Sequence, residues 1–389
     1  MYTLNKSYQE KYLKYKTKYL ELKNLVGGNN KIRILVITFN QGSQSEINLT
    51  KLQNLILLKQ TDLLIIALQE CRKNTITHDT FPTYNLIIKK SVIQIGLGWM
   101  YLFVYHKSSN TPSNTPSNTP IIGKTHKNLI HPLLKYKILQ YTISICGPAK
   151  GGLIANLQID YNGSKTTLAI ICAHLPSNAS AVANRNSCLT QLINTINPGR
   201  DSNFNIIITG DLNYRTNKEN PPKEEHKNPV HTDHSDHTGY QDHSDHTGHQ
   251  DHSDHTGHQD HSDHTGHQDH SDHTGHQFSQ DYLAPGENPV HQSKQNDQLL
   301  QENILPTLLL TESKINFCPT CKLTLSDNPN EDRVSTGIKY DPTRYPSWCD
   351  RVLYSNNGKF ISTEYQAIDL SNKSDHLAVY EVLEFKLPN

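Results

Sequence analysis

Nine short apolar runs constrain this chain more than any other feature: Arg33–Phe39, Leu63–Leu68, Trp99–Tyr105, Ile138–Ile145, Leu153–Ile159, Thr167–Ala173, Phe204–Ile208, Val352–Tyr354 and Ala378–Phe385. Runs this short and this rich in β-branched residues read as strands. Helical periodicity lies between some of them, over Ile47–Lys59 and Ala181–Ile196. Many strands with few interspersed helices predict a layered α/β (α+β) domain with a mixed or two-sheet core.

One strand end is unusually polar. The run Asn205–Thr209 leads directly into Gly210-Asp211-Leu212-Asn213-Tyr214-Arg215, a carboxylate, an amide, a phenol and a guanidinium within five positions. Strand ends let side chains converge on a ligand while the sheet fixes their geometry. An Asp and an Asn two apart suit activating a water and holding it in line; a tight polar turn is the bland alternative. Other strand ends supply matching parts. Asn40 closes Thr38-Phe39-Asn40 and Glu70 closes Ala67-Leu68-Gln69-Glu70. Both are hard oxygen donors of the kind Mg²⁺ accepts, since it keeps several waters and needs few protein ligands. His174 ends Cys172-Ala173-His174, where an imidazole can donate to a phosphoryl oxygen. Ser374-Asp375-His376 precedes the last strand, shortly after Pro346-Ser347-Trp348-Cys349-Asp350-Arg351. A carboxylate bonded to His376 would fix its tautomer and favour the imidazolium.

Net charge is zero only on average. Residues 1–24 carry +4 and residues 234–277 carry −9, which leaves a body of +5, mildly suited to an anionic substrate. The first segment reads as a basic, Tyr-rich amphipathic helix ending at Gly27-Gly28, a leader over residues 1–28 apart from a main domain at 31–389. It is similar to leaders found on many giant-virus proteins. Two inserts interrupt the domain. Residues 109–120 are three copies of Ser-Asn-Thr-Pro. Residues 218–295 form a polar insert expected to be disordered, and within it 234–277 repeat His-Ser-Asp-His-Thr-Gly-His-Gln-Asp. Neither repeat carries the aliphatic residues a core needs. The 14 His and nine Asp of the second invite loose Zn²⁺, Ni²⁺ or Cu²⁺ binding, with neutral repeat expansion as the alternative.

No apolar run is long enough to span a bilayer and the N-terminus lacks an apolar signal segment. Seven scattered cysteines predict free thiols in a reduced compartment rather than a disulfide framework. A cytoplasmic monomer is expected, in the host cell or virion if the protein is viral, with peripheral contact at anionic membranes. The loop Val92–Leu97 is a candidate for such contact and equally a candidate core strand.

The segments TFN, ALQE, AHL, GDLNYR, PSWCDRVLY and SDH occur in the order found in the endonuclease/exonuclease/phosphatase superfamily. GDLNYR together with PSWCDR resembles the inositol polyphosphate 5-phosphatases in particular. Gly147-Pro148-Ala149-Lys150-Gly151-Gly152 is similar to that family's G-N-K-G-G turn, with Ala149 where Asn is usual. Asn316-Phe317-Cys318-Pro319-Thr320-Cys321-Lys322 resembles its F-x-P-T-Y-K segment, with Cys321 in place of Tyr. A zinc or redox reading of that CxxC lacks a second CxxC to complete a Cys₄ site.

The resemblance implies a DNase I-like fold, a four-layered β-sandwich with flanking helices, and removal of the 5-phosphate from inositol polyphosphates or phosphoinositides such as phosphatidylinositol 4,5-bisphosphate. Carried over by position, it implies that Asn40 and Glu70 hold Mg²⁺ with Asp375 close by. Asp211 is then the general base, Asn213 orients the water, and His174 and His376 neutralise phosphoryl oxygens, with Asp350 orienting His376. Lys150, Tyr214, Arg215, Lys322, Arg344 and Arg351 become candidates for binding the other ring phosphates or for the scaffold of the site. A metal-dependent nuclease of the same superfamily would use the same core residues but needs a long basic face, and no nucleic-acid partner is expected. A non-catalytic binding protein, acting through its repeat or leader, is the second alternative.

Overall fold

The computed structural model describes residue 15 and residues 30–43, 46–108, 134–161, 163–197, 199, 203–217, 296–328, 331–371 and 373–388. The leader (apart from Tyr15), the Ser-Asn-Thr-Pro repeat and the 218–295 insert lie outside the described residues.

The first seven strands are, in order, β1 (Lys31–Asn40), β2 (Leu63–Cys71), β3 (Tyr84–Gln94), β4 (Gly98–Lys107), β5 (Leu134–Gly147), β6 (Lys150–Tyr161) and β7 (Ser164–His174). They are followed by β8 (Asn205–Asp211), β9 (Leu310–Glu312), β10 (Asp350–Ser355), β11 (Phe360–Ile368) and β12 (Ala378–Lys386). Two six-stranded sheets result, ordered β11-β12-β1-β2-β4-β3 and β5-β6-β7-β8-β10-β9. Each contains one parallel pair, β1 with β2 and β7 with β8, and is otherwise antiparallel. A helix makes each parallel crossover: α1 (Leu49–Lys59) in the first sheet and α2 (Val182–Ile196) in the second.

The apolar runs follow from burial on both faces. In β1, Ile32, Ile34 and Val36 point between the sheets against Leu157, Leu168 and Ile207, while Leu35, Ile37 and Phe39 pack under Leu52, Leu55 and Ile56 of α1. The second sheet repeats the plan: Ile170 and Cys172 face inward, and Ile171 and Ala173 pack under Leu189 and Leu192 of α2. A strand covered twice has no polar face to alternate with. The four expected layers, helix, sheet, sheet and helix, are all present.

The nine expected strands all form, and three more join them. β3 and β9 lie at sheet edges, as does β11, and β3 and β11 mix apolar with exposed polar positions, so no continuous apolar run announces them. Ile93 and Ile95, offered above as core or as membrane contact, are 60% and 80% exposed, so the core reading fails for these two. The expectation of free thiols fails at one pair. Cys146 of β5 and Cys188 of α2 form a disulfide across 42 residues, because α2 packs beside the end of β5; the remaining five cysteines are thiols.

Register decides where the polar strand ends meet. Asn40 lies opposite Gln69, His174 opposite Asp211, and Asp350 opposite Asp211 on the other side. Both sheets therefore deliver their polar termini to one edge.

Candidate active site

Gly210 starts the site. At its φ of +153° an added Cβ would lie 1.9 Å from the Ala173 carbonyl oxygen, so only glycine lets β8 approach β7 here. The strand then ends at Asp211, 2% exposed, whose Oδ2 accepts a 2.8 Å hydrogen bond from Asn40 Nδ2 across the two sheets. Its Oδ1 accepts from the backbone N–H of Asn213, which turns through φ 54°. Asparagine tolerates this left-handed conformation better than most residues. The Asn213 side chain is itself committed: Nδ2 donates to the Leu175 carbonyl at 3.0 Å and Oδ1 accepts from Arg215 Nη2 at 2.6 Å. One Nδ2 hydrogen is left for another acceptor.

His174 is fully buried at the end of β7. Its Nε2 lies 3.4 Å from Asp211 Oδ2, 3.7 Å from Glu70 Oε1 and 2.6 Å from Lys150 Nζ. Its Nδ1 meets Gln94 Nε2 at 2.8 Å. The Gln94 amide cannot be reversed: Nε2 also donates to the Ala149 carbonyl, and Oε1 accepts from the Glu70 backbone N–H. Nδ1 of His174 is therefore the acceptor and Nε2 carries the proton toward Asp211. Gln94 was missed as a site residue. It closes an edge strand, and nothing in its neighbours signals that the β3–β4 hairpin folds back over β7.

Opposite stands the second imidazole. Asp350 Oδ2 accepts from His376 Nδ1 at 2.8 Å and from Thr320 Oγ1 at 2.8 Å, with Asp350 and Thr320 both fully buried. Burial opposes charge on His376, but Asp350, then Asp211 and Asp375, outweigh it and raise the imidazole to about 10. Burial also pushes the Asp211 carboxyl up. The hydrogen bond from His174 and the charges of His376, His174 and Lys150 reverse this and hold it well below the usual carboxylate range. Lys150 is lowered, by burial above all. It sits past a turn in which Ala149 adopts φ 55°, a conformation that suits the Asn usual in the resembling turn.

Asp375 adjoins the Asn40 turn, its Oδ1 close to Gly42, while Ser374 Oγ donates to the Asn40 carbonyl at 2.7 Å. Its Oδ2 pairs with Lys322 Nζ at 2.7 Å. Burial raises Asp375, and the His376 charge and the Lys322 hydrogen bond more than reverse that, leaving it lowered. Glu70 is held at φ 51°, 3.4 Å from Ser43 Oγ. Among the described residues no group of three or more His, Cys, Asp and Glu is gathered as a metal cage. Asn40, Glu70 and Asp375 nonetheless fit Mg²⁺: all are hard oxygen donors, and the Glu70 carboxylate has only long contacts, at 3.4 and 3.7 Å.

The candidate phosphate ligands separate. Lys150 and Lys322 reach the site, and Arg215 reaches it through Asn213. Lys322 and Asp375 also line an adjoining cavity of 490 Å³ with Lys373 and Asp341. Arg344 is exposed on the turn from Asp341 and its charge acts on Asp341. Two candidates are corrected from ligand to scaffold. Tyr214 is fully buried, donates to Asn186 and lies 5.5 Å from the Arg185 guanidinium. Arg351 is fully buried and saturated by Asp297, Glu312 and the Trp348 carbonyl, so it has no face for a substrate. Strand alternation in β10 turns Arg351 away from the face that Asp350 takes, and Tyr214, past the end of β8, packs with Cys188 and Leu189 of α2.

A family model, Endonuclease/Exonuclease/phosphatase family 2, matches residues 37–254 and 269–382. No curated protein matches the chain. Among solved structures, the inositol polyphosphate 5-phosphatase domain of SPsynaptojanin, bound to inositol (1,4)-bisphosphate and calcium, is 16% identical, with a TM-score of 0.51 over 96% of this chain and 90% of that one. A Cimex nitrophorin in its ferrous NO complex is 15% identical over 92% and 99%, with a TM-score of 0.44. TDP2 of D. rerio with single-strand DNA product is 12% identical over 90% and 98%, at 0.42. The first of these likenesses shows the fold, the DNase I-like sandwich that the motifs implied.

Proposed function

Because the chain belongs to endonuclease/exonuclease/phosphatase family 2, within a superfamily of hydrolases, we propose that it removes the 5-phosphate from inositol polyphosphates or phosphoinositides. The observation that carries this reading is the 490 Å³ cavity adjoining Asp375, with Lys322 and Lys373 on its wall. Lys322 and Lys373 are ion-paired with Asp375 and Asp327, and a ring carrying more than one phosphate would compete for those cations. The paired GDLNYR and PSWCDR motifs support the same choice.

In this reading a water oxygen attacks phosphorus and its proton passes to Asp211, while the bond to the ring oxygen breaks and that oxygen takes a proton from solvent to leave as a hydroxyl. Asp211 is ionised across the neutral range, and its low basicity delays the transfer until the attacking oxygen has begun to bond. Asn213 offers its remaining Nδ2 hydrogen to that water. Nε2–H of His174 and the His376 imidazolium face the charge that gathers on the phosphoryl oxygens, in a site built before the substrate arrives. Lys150, whose Nζ lies 2.6 Å from His174 Nε2, lines the same face of the site. Asn40, Glu70 and Asp375 would hold Mg²⁺, which when bound neutralises the scissile phosphate. Ile93 and Ile95 flank Gln94 with their side chains in solvent, which suits an enzyme working on lipid at a membrane surface.

The test is hydrolysis by the full chain, with Mg²⁺, of phosphatidylinositol 4,5-bisphosphate in vesicles, soluble inositol polyphosphates, and abasic and single-stranded DNA. Phosphate release from 5-phosphorylated inositols with intact DNA is expected, and Asp211→Asn should lower it by about three powers of ten or more. DNA cleavage without phosphate release, or an undiminished Asp211→Asn variant, overturns the reading.

A further inference from the structure

The CxxC at Cys318–Cys321 has no place in the hydrolytic scheme, and the fold gives it a different partner. Cys321 Sγ lies 2.8 Å from Cys349 Sγ, 28 residues away, whereas Cys318 bonds Tyr340. Both close sulfurs are thiols in the structure, 1% and 0% exposed. A disulfide needs about 2.05 Å between sulfurs, so closure calls for a movement of about 0.8 Å.

The pair lies directly behind the reacting groups. Arg215 Nη1 donates to Cys321 Sγ at 3.0 Å, and the same guanidinium donates through Nη2 to Asn213 Oδ1. Cys321 bridges Ser347 and His376 through its backbone, and its neighbours are Thr320, which donates to Asp350, and Lys322, which pairs with Asp375. Cys349 immediately precedes Asp350. The two thiols differ. Cys321 Sγ accepts from the Arg215 guanidinium, whereas Cys349 Sγ has the Tyr214 carbonyl 3.8 Å away and burial pushes its thiol well up.

We propose that Cys321 and Cys349 form an oxidation site, closed to a disulfide by hydroperoxides, and that closure turns off hydrolysis by withdrawing the sulfur that anchors Arg215. The Cys321 sulfur gives an electron pair to the terminal peroxide oxygen, the O–O bond breaks, and the thiol's proton goes to the departing alkoxide, leaving a sulfenic acid and releasing ROH. The Cys349 sulfur then displaces the sulfenic oxygen, and its proton leaves with that oxygen as water. Two thiols and one hydroperoxide thus yield one disulfide, one ROH and one water. A disulfide sulfur is uncharged and a poor acceptor. Arg215 is then held only through Nη2, by Asn213 and the Ser177 carbonyl, and the cross-link binds the segment carrying Thr320 and Lys322 to the strand carrying Asp350.

The loss of activity rests on the hydrolytic reading above; the cross-link does not. The full-length protein is exposed to stoichiometric hydrogen peroxide and mapped as unreduced peptides, alongside hydrolysis of a soluble inositol polyphosphate. A Cys321–Cys349 peptide is expected, with activity down about tenfold or more, as for the loss of one charge-assisted hydrogen bond, and restored by dithiothreitol. Cys349→Ala retains Cys146–Cys188 and should resist peroxide, which separates the two pairs; Cys349→Ser serves if thermal unfolding shows the first variant misfolded. Peroxide products without the 321–349 peptide overturn the proposal, as does a complete cross-link that leaves hydrolysis unchanged. Reduced protein inactive on every phosphorylated inositol would count against the hydrolytic reading alone, and the peptide map would still decide the pair.

Discussion

At the scale of single residues the site is governed by which atom of each imidazole holds a proton. Gln94 decides this for His174, because its amide is fixed at both ends by obligate backbone partners. Replacing Gln94 with Leu should lower kcat by about a hundredfold with KM little changed, the size of a misplaced proton donor; equal kcat values would show that His174 needs no such help. Asp350 does the same for His376. The imidazolium persists to about 10 against an ordinary 6.5, so the stability it contributes is present below 6.5 and is lost as pH rises through about 10. Hydrolysis should fall on the same alkaline limb, and Asp350→Asn should move that limb toward neutrality in a pH–rate profile. Asp350 as partner of His376 came from the motif resemblance alone, and Gln94 as partner of His174 had no sequence signal. Gln94 and His174 are 80 residues apart, and Asp350 and His376 are 26 apart.

At the scale of elements, strands covered on both faces were legible, as was the apolar but exposed edge strand β5, whereas β3, β9 and β11 were not. β1, β2, β7 and β8 spell continuous apolar runs because a helix and a second sheet enclose them. β3 and β11, at sheet edges, intersperse polar residues and lack that signature. The β3–β4 hairpin illustrates the cost of missing such a strand. It brings Gln94 to His174 while leaving Ile93, Ile95 and part of Trp99 in solvent. A double Ile93→Ser, Ile95→Ser variant should hydrolyse vesicle-borne phosphatidylinositol 4,5-bisphosphate several-fold more slowly and a soluble inositol phosphate at the parent rate. Equal losses on both substrates would mean that the hairpin acts only through Gln94.

At the scale of the whole molecule, the space between the sheets holds a buried carboxyl group among its apolar filling. Glu381 of β12 is fully buried there beside Ser313 and Tyr354. Burial raises its carboxyl to about 8, against hydrogen bonds from Ser313 and Ser362 and with Glu312 adding to the rise. The folded protein therefore keeps a proton that the unfolded chain releases from about 4.5 upward, so stability should fall as pH rises from 4.5 to 8. The slope is at most about 1.4 kcal/mol per pH unit from this group. Glu381→Gln should flatten the decline in melting temperature across that window; an unchanged slope would assign it to other groups.

By itself the sequence determined the strands that are buried twice, the two crossover helices and the polar strand ends Asn40, Glu70, His174 and Asp211, because double burial and polar termination are both written in adjacent residues. It also carried motifs specific enough to name a superfamily before any geometry. Tertiary structure alone decided that these ends meet, that Tyr214 and Arg351 turn into the scaffold, that Gln94 reaches His174, and that Cys321 pairs with Cys349 rather than Cys318. The physical reason is common to all four. Register and sheet packing set distances between residues far apart in the chain, and a one-residue slip reverses every side chain.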